Sequence, residues 1–258
     1  MVTVIEAIVL AVIQGLTEWL PVSSSGHLVI AQNFLGLSPP LIFDVMLHFG
    51  TLIVVIVMFR KDILDIFKTL VKGNFKTQEG KLALHIIIGS MPIVVIGVTF
   101  HDGIKLLFSN LLASGLALLV TGCILFVSEK RLGNKTMNAI DSLFIGLAQA
   151  IAIIPGISRS GLTISTGLLR KIDKMTAFRY SFLLSVPAIL GATIIEAKDL
   201  VLGNVEVLPI VVGVSVSMLV GYVSLKLLQK IVLQERFHLF AYYCWAVGIV
   251  VVVLSIFG

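Results

Sequence analysis

The sequence predicts an all-α polytopic membrane protein: six spanning helices plus two re-entrant helical hairpins in an inverted-topology repeat. Three observations predict it. The first is composition: the 258 residues are 58% hydrophobic and 13% charged, with a mean hydropathy of +1.09. Soluble domains carry about 25% charged residues, so this chain holds more apolar surface than a soluble core can hide. The second is a pair of polar, helix-breaking clusters set into apolar sequence, Pro21-Val22-Ser23-Ser24-Ser25-Gly26-His27 and Pro155-Gly156-Ile157-Ser158-Arg159-Ser160-Gly161. The third is the segregation of basic residues along the chain.

Six apolar runs can each cross about 30 Å of hydrocarbon. They cover 41–59, 82–100, 111–127, 176–195, 205–228 and 239–257. Two further runs, 4–20 and 139–154, stop at the polar clusters, and each is followed by a shorter apolar stretch. Polar backbone at membrane depth is tolerated only where it is buried in protein or lines a wet cavity. Each run and cluster therefore reads as a helix in, a polar turn and a helix back out on the same side. No basic stretch precedes the first run and Glu6 lies within it. The N-terminus is thus expected to be mature structure and not a cleaved signal.

The charges agree with this path. Four connections hold Arg60, Lys61, Lys68, Lys72, Lys76 and Lys81; Lys130, Arg131 and Lys135; Arg170, Lys171, Lys174 and Arg179; and Lys226, Lys230 and Arg236, which are 16 of the 19 basic residues. With six spans and two hairpins all four connections fall on one side, and only Lys105 and Lys198 fall on the other. The positive-inside rule makes the rich side cytoplasmic. Both termini are then outside, the first hairpin enters from outside and the second from the cytoplasm. Cysteines placed singly at Gly73 and Gly203 are expected to react with an impermeant thiol reagent from opposite sides; reaction from one side would break this topology. The net charge of +5 is topological information on this reading, not a nucleic-acid signal.

An odd number of spans between the hairpins inverts the second half, and the halves match in sequence. A shift of 135 aligns Gln14 with Gln149, Ser23 with Ser158, Ser25 with Ser160, Gly26 with Gly161 and Phe43 with Phe178, the prolines being off by one. One membrane domain, 1–258, is expected, with pseudo-repeats of about 1–127 and 136–258. Inverted repeats place their sites near the midplane, where broken helices meet.

Several residues there can do chemistry. Gln14 and Glu18 are four apart and share one helix face. Glu18 is either a structural carboxylate at the end of the broken helix or a functional one, and carboxylates inside membranes are usually functional. Ser23, Ser24, Ser25 and Gly26 can turn the chain and present backbone N–H groups to an anion, or merely let helices pack. His27 can act as nucleophile, acid or base. Arg159 needs an anionic partner, either Glu18 or a substrate phosphate; Ser158, Ser160 and Thr163 surround it with hydroxyls. Asp44, His48 and Thr51 either face the first hairpin or sit at the membrane interface. His85, His101 and His238 are expected at the interface. Cys123 and Cys244 lie in apolar runs and suggest neither a disulfide nor a metal site, and no histidine–carboxylate spacing reads as a zinc site. Glu, Ser, His and Arg around exposed amides describe phosphoryl transfer. Embedded in lipid, such a site would take a phosphorylated lipid. The local sequence leans slightly to His27 as nucleophile or as proton-transfer partner of Ser24, with Glu18 holding its other ring nitrogen, and the choice stays open.

Gln14-Gly-Leu-Thr-Glu18-Trp-Leu-Pro-Val-Ser-Ser-Ser-Gly-His27 and Pro155-Gly-Ile-Ser-Arg159-Ser-Gly resemble the two signature motifs of the undecaprenyl-diphosphate phosphatase (bacitracin-resistance) family. The spans between them, including Phe43-Asp44-Val-Met-Leu-His48-Phe-Gly-Thr51, resemble it too. The resemblance implies removal of the terminal phosphate from a C55-type polyprenyl diphosphate, recycling the carrier lipid for envelope glycan synthesis at the plasma membrane. It also implies two re-entrant loops in an inverted repeat. By position, Glu18, Ser24, His27 and Arg159 match the family's essential residues, with Gln14, Ser25, Gly26, Ser158, Ser160 and Thr163 around the substrate. The family often has Glu where this chain has Gln14. That leaves Glu18 as the one candidate metal ligand, so Mg²⁺ or Ca²⁺ is expected to assist through the diphosphate itself, with no organic cofactor. A homodimer is left open. The alternative function is an inverted-repeat transporter or flippase for a phosphorylated lipid, since broken helices in inverted repeats are also the architecture of secondary transporters.

Overall fold

In the computed structural model, residues 2–100, 103, 110–128, 133–202, 206–234 and 236–257 are described. They form eleven helices and no strand. The helices are α1 (Val4–Thr17), α2 (Ser24–Leu35), α3 (Leu41–Met58), α4 (Arg60–Lys72), α5 (Gln78–Thr99), α6 (Leu111–Ser128), α7 (Ala139–Ile151), α8 (Arg159–Leu169), α9 (Lys174–Leu202), α10 (Val207–Leu233) and α11 (Leu239–Phe257). Six of them, α3, α5, α6, α9, α10 and α11, are long and apolar enough to cross a membrane. The chain is a multi-pass membrane protein. His101, Lys105, Lys130, Arg131 and Gly203 lie outside the described residues, as does the side chain of Lys198.

Helices α1 and α7 have 14 and 13 residues. At about 1.5 Å per residue they reach roughly 20 Å, short of the hydrocarbon thickness. Each is followed by a break and a second short helix. The packing interleaves the two halves: α1 lies along α10, α7 along α5, α6 along α11, and α3 against α9 and α10. Small residues allow the approach, as in helix packing within membranes. A Cβ on Gly146 of α7 would stand 2.2 Å from the carbonyl oxygen of Gly89 in α5, so this pair crosses backbone against backbone.

One element was hidden in the sequence. The basic connection 60–81 contains α4, in which no residue is buried. Leu64, Phe67, Leu70 and Val71 are exposed on it, flanked by Lys61, Lys68 and Lys72. This is the composition of a helix lying in a bilayer interface. The Arg179 guanidinium of α9 pairs with Asp62 of α4.

The largest apolar cluster surrounds the breaks. Trp19 is fully buried in this cluster, which also holds Leu52, Val55, Phe178 and Leu225, and its ring centroid is 5.3 Å from that of Phe182.

Candidate active site

The two breaks are built by the same device. In the first, α1 ends at Thr17, the chain turns through Pro21, and the Ser23 Oγ caps α2 by accepting from the Gly26 N–H at 3.2 Å. In the second, Ser158 Oγ caps α8 by accepting from the Gly161 N–H at 3.1 Å. Ser and Gly at these spacings are good cap residues, and the two caps stand 135 residues apart. One difference matters: Ser23 has φ +69° whereas Ser158 has φ −77°. A left-handed serine is strained and persists only where its surroundings over-determine it. Here the Ser23 Oγ also accepts from the Gly156 N–H at 3.0 Å, and the Ser25 Oγ lies 3.3 Å away.

That Gly156–Ser23 bond joins the two tips. Gly26 and Gly156 touch through backbone, since a Cβ on Gly26 would lie 2.9 Å from both the N and Cα of Gly156. Thr121 of α6 ties the second tip down: its hydroxyl donates to the Gly156 carbonyl at 2.8 Å and accepts from the Ser158 N–H at 3.2 Å. The N-termini of α2 and α8 therefore meet, and helix N-termini favour anions. Gly26→Ala is expected to force the tips apart and cost about 1–3 kcal/mol, as overpacking does. Thermal unfolding in detergent should fall for it and not for Gly97→Ala, where nothing lies within 4 Å.

Glu18 is the centre of the meeting point. Its side chain is 4% exposed. Oε1 accepts from Arg159 Nη2 at 2.5 Å. Oε2 accepts from the Ser24 hydroxyl at 2.6 Å and from Gln14 Nε2 at 2.9 Å. His48 Nε2 of α3 stands 3.3 Å from the same oxygen and 3.5 Å from Ser24 Oγ. Arg159 stacks over Trp19, its Cζ 5.2 Å from the ring centroid. Its second terminal nitrogen, Nη1, is buried without a hydrogen-bond partner among the described residues. Buried donors are normally satisfied, so this N–H is available to an incoming acceptor. Gln14 Oε1 is unpartnered in the same way.

The structure thus brings Gln14, Glu18, Ser24 and Arg159 together, with Ser23, Ser25, Gly26 and Ser158 shaping the turns beside them. Ser160 Oγ lies 3.4 Å from Ser158 Oγ and 3.5 Å from the Leu20 carbonyl it donates to. Thr163 donates to the Arg159 carbonyl at 2.7 Å and pairs with Ser181 at 2.6 Å, joining α8 to α9 instead of reaching Glu18. The expected Glu18–His27 bond is not made. His27 Nδ1–H donates to the Ser23 carbonyl at 2.8 Å, and its Nε2 accepts from the Tyr243 hydroxyl at 2.8 Å. The rings are stacked at 10°. The imidazole at Glu18 belongs to His48, whose Nδ1–H donates to the Asp44 carbonyl at 2.8 Å. The Asp44 carboxylate faces Gln32, not His48: Gln32 Nε2 donates to its Oδ1 at 2.8 Å. Tyr243 and Gln32 carried no signal in the sequence; His48 did, through its spacing from Asp44.

A cage built by the protein alone for Ca²⁺ takes about six to eight oxygen ligands, whereas Mg²⁺ is commonly held by one or two carboxylates together with substrate phosphates. Glu18 is the one carboxylate at this centre, and both its oxygens are engaged, one by a guanidinium. No group of three or more His, Cys, Asp or Glu gathers anywhere among the described residues. Glu18 alone does not make a closed metal cage.

Fold and site define a multi-pass membrane protein with a buried serine–carboxylate–arginine centre at paired helix N-termini. The chain belongs to the family of the bacitracin resistance protein BacA, whose family model matches residues 7–250. It is 44% identical over 261 residues to the undecaprenyl-diphosphatase of Halothermothrix orenii, with 98% of each chain covered. Identity is 40% to the undecaprenyl-diphosphatase of Carboxydothermus hydrogenoformans, again over 98% of each, and 38% to that of Methanosphaera stadtmanae over 99% of each. The family expected from the two motifs is borne out.

Proposed function

We propose that this chain is a membrane phosphatase that hydrolyses undecaprenyl (polyprenyl) diphosphate to the monophosphate and inorganic phosphate, recycling carrier lipid for envelope glycan synthesis. One observation carries the mechanism: Ser24 and Arg159 share one buried carboxylate at the meeting of two helix N-termini, and Arg159 keeps a free N–H. The terminal phosphate sits against Arg159 and the first-turn amides of α2 and α8, which neutralise charge where it develops. Ser24 Oγ, aimed by its bond to Glu18, attacks the terminal phosphorus. The Oγ–P bond forms as the bond from phosphorus to the bridging oxygen breaks, and the electron pair leaves with the polyprenyl monophosphate. Water then hydrolyses the phosphoserine. Glu18 positions both Ser24 and Arg159. His27 holds the strained Ser23 turn through its Nδ1–H bond, a positioning role. Any Mg²⁺ or Ca²⁺ would arrive with the diphosphate as its counter-ion.

The charge pattern supports a site entered from the outer face of the plasma membrane, with both termini outside. The re-entrant path of α1–α2 and α7–α8 is supported by their shortness. The deciding assay uses purified protein and polyprenyl diphosphate in detergent, where no second compartment exists. Phosphate release is expected. No release in detergent together with lipid movement in vesicles would favour a transporter.

A further inference from the structure

The mechanism above leaves the Ser24 proton without a destination, and it leaves His48 without a task. Ser24 must lose its proton as the Oγ–P bond forms, and a serine hydroxyl needs a base to do so. Gln14 is an amide and cannot serve. Glu18 touches the hydroxyl, but its charge is already held by Arg159, Gln14 and Ser24 itself, which weakens it as a proton acceptor.

His48 comes from a different element, α3, and is fixed in one tautomer. Its Nδ1–H donates to the Asp44 carbonyl at 2.8 Å, so in the neutral ring the lone pair is on Nε2. That lone pair stands 3.5 Å from Ser24 Oγ and 3.3 Å from Glu18 Oε2. The ring is held further from behind, because Thr51 Oγ1 donates to the His48 carbonyl at 2.8 Å. Rotation of the Ser24 hydroxyl carries its hydrogen from Glu18 to His48 without moving a heavy atom. Such contacts are often long before substrate binds and tighten in the complex.

We propose that His48 is the general base for Ser24, a catalytic residue contributed by α3 and not by either signature motif. This assignment rests on the phosphatase reading with Ser24 as nucleophile. The proton passes from Ser24 Oγ to His48 Nε2 as the Oγ–P bond forms. The resulting imidazolium Nε2–H then faces Glu18 Oε2, so the carboxylate stabilises the product of the transfer. In the second half, water supplies the hydroxyl to phosphorus and its remaining proton goes to solvent. His48 returns its proton to Ser24 Oγ as the Oγ–P bond breaks. One turnover restores the neutral ring. The chain thus has a second ionisable group beside Glu18 although position 14 is Gln.

The test separates a base from a structural partner of Glu18. His48→Gln places an amide near where Nε2 stands, so it can donate to Glu18 as the imidazolium would, and it removes the base. Full-length protein in detergent is mixed with polyprenyl diphosphate carrying ³²P on the terminal phosphate and quenched in acid. Phosphoryl-enzyme formation and kcat are expected to fall about 10²–10⁴-fold in His48→Gln, the usual contribution of a general base, with KM nearly unchanged. A His48→Gln enzyme that forms the phosphoryl-enzyme at the wild-type rate overturns the assignment, as does a loss confined to KM. Binding of a non-hydrolysable methylenediphosphonate analogue reports whether the site is intact. If His48→Gln fails to bind it, His48→Ala is put through the same measurements with the same two outcomes. Failure of the parent reading looks different: wild-type protein would release no phosphate, or its adduct would be acid-labile and base-stable, as a phosphohistidine is.

Discussion

Ser24→Ala is expected to abolish the phosphoryl-enzyme and lower kcat by about four to six orders of magnitude, as loss of a nucleophile acting within a catalytic unit does. The expectation follows from where the two candidate nucleophiles point. The Ser24 hydroxyl is bonded to Glu18 at 2.6 Å and shares that carboxylate with Arg159. Both ring nitrogens of His27 are occupied, one by the Ser23 carbonyl and one by Tyr243. Fold should survive, since Glu18 keeps its charge paired with Arg159 when the serine hydroxyl is gone. His27→Ala, by contrast, should slow the reaction while still forming an adduct that is acid-stable and base-labile. Single-turnover reactions with terminally labelled substrate, quenched in parallel in acid and in base, read both variants. A labelled Ser24→Ala protein whose adduct is acid-labile would make histidine the nucleophile.

The sequence made some of this legible and hid the rest for physical reasons. Apolar runs show themselves by length, so the six spans could be read directly, within a few residues at their ends. A cluster of Pro, Ser and Gly beside a charged or titratable residue inside such a run is costly unless buried or functional, which marked both breaks. The repeat offset also paired Ser23 with Ser158 and Gly26 with Gly161, and these form matching caps. Relations within one helix were equally accessible: Gln14 and Glu18, four apart, do bond. Relations between helices were not. Whether His27 or His48 reaches Glu18 depends on how α3 is rotated against the first hairpin, and one chain's periodicity does not contain that angle. Tyr243 stands 216 residues from His27, in a run that is apolar all round. The Asp44–His48 spacing puts both residues on one helix face, but the bond runs from the ring to the Asp44 carbonyl and not to its carboxylate. The left-handed Ser23 was also beyond reach, because its repeat mate has the ordinary φ. Ser23 is held by bonds to Gly26, His27 and Gly156, and the last of these crosses between the two breaks.

Arg159→Lys is expected to lower kcat by about 10²–10³, equivalent to ~2.7–4 kcal/mol of lost transition-state stabilisation, the usual cost of one well-placed contact to developing charge. Arg159 performs two tasks at once. Nη2 holds Glu18 at 2.5 Å, while Nη1 is buried and free. A planar guanidinium can grip a carboxylate on one prong and a phosphate oxygen on the other, and the stack on Trp19 fixes its plane. Lysine offers one point charge on a flexible stem. It can stay with Glu18 or turn to phosphate, but it cannot do both with this geometry. Lysine is also the cleaner substitution. Arg159→Ala would strand Glu18 as an unpaired buried charge, at a cost of about 3–5 kcal/mol in stability, and lost activity could then reflect lost fold. With Arg159→Lys the charge balance is kept, so unfolding should be nearly unchanged while turnover falls. Steady-state kinetics in detergent alongside thermal unfolding separate the two quantities. Near-wild-type turnover in Arg159→Lys would reduce the residue to the ion pair with Glu18 and remove it from phosphate binding.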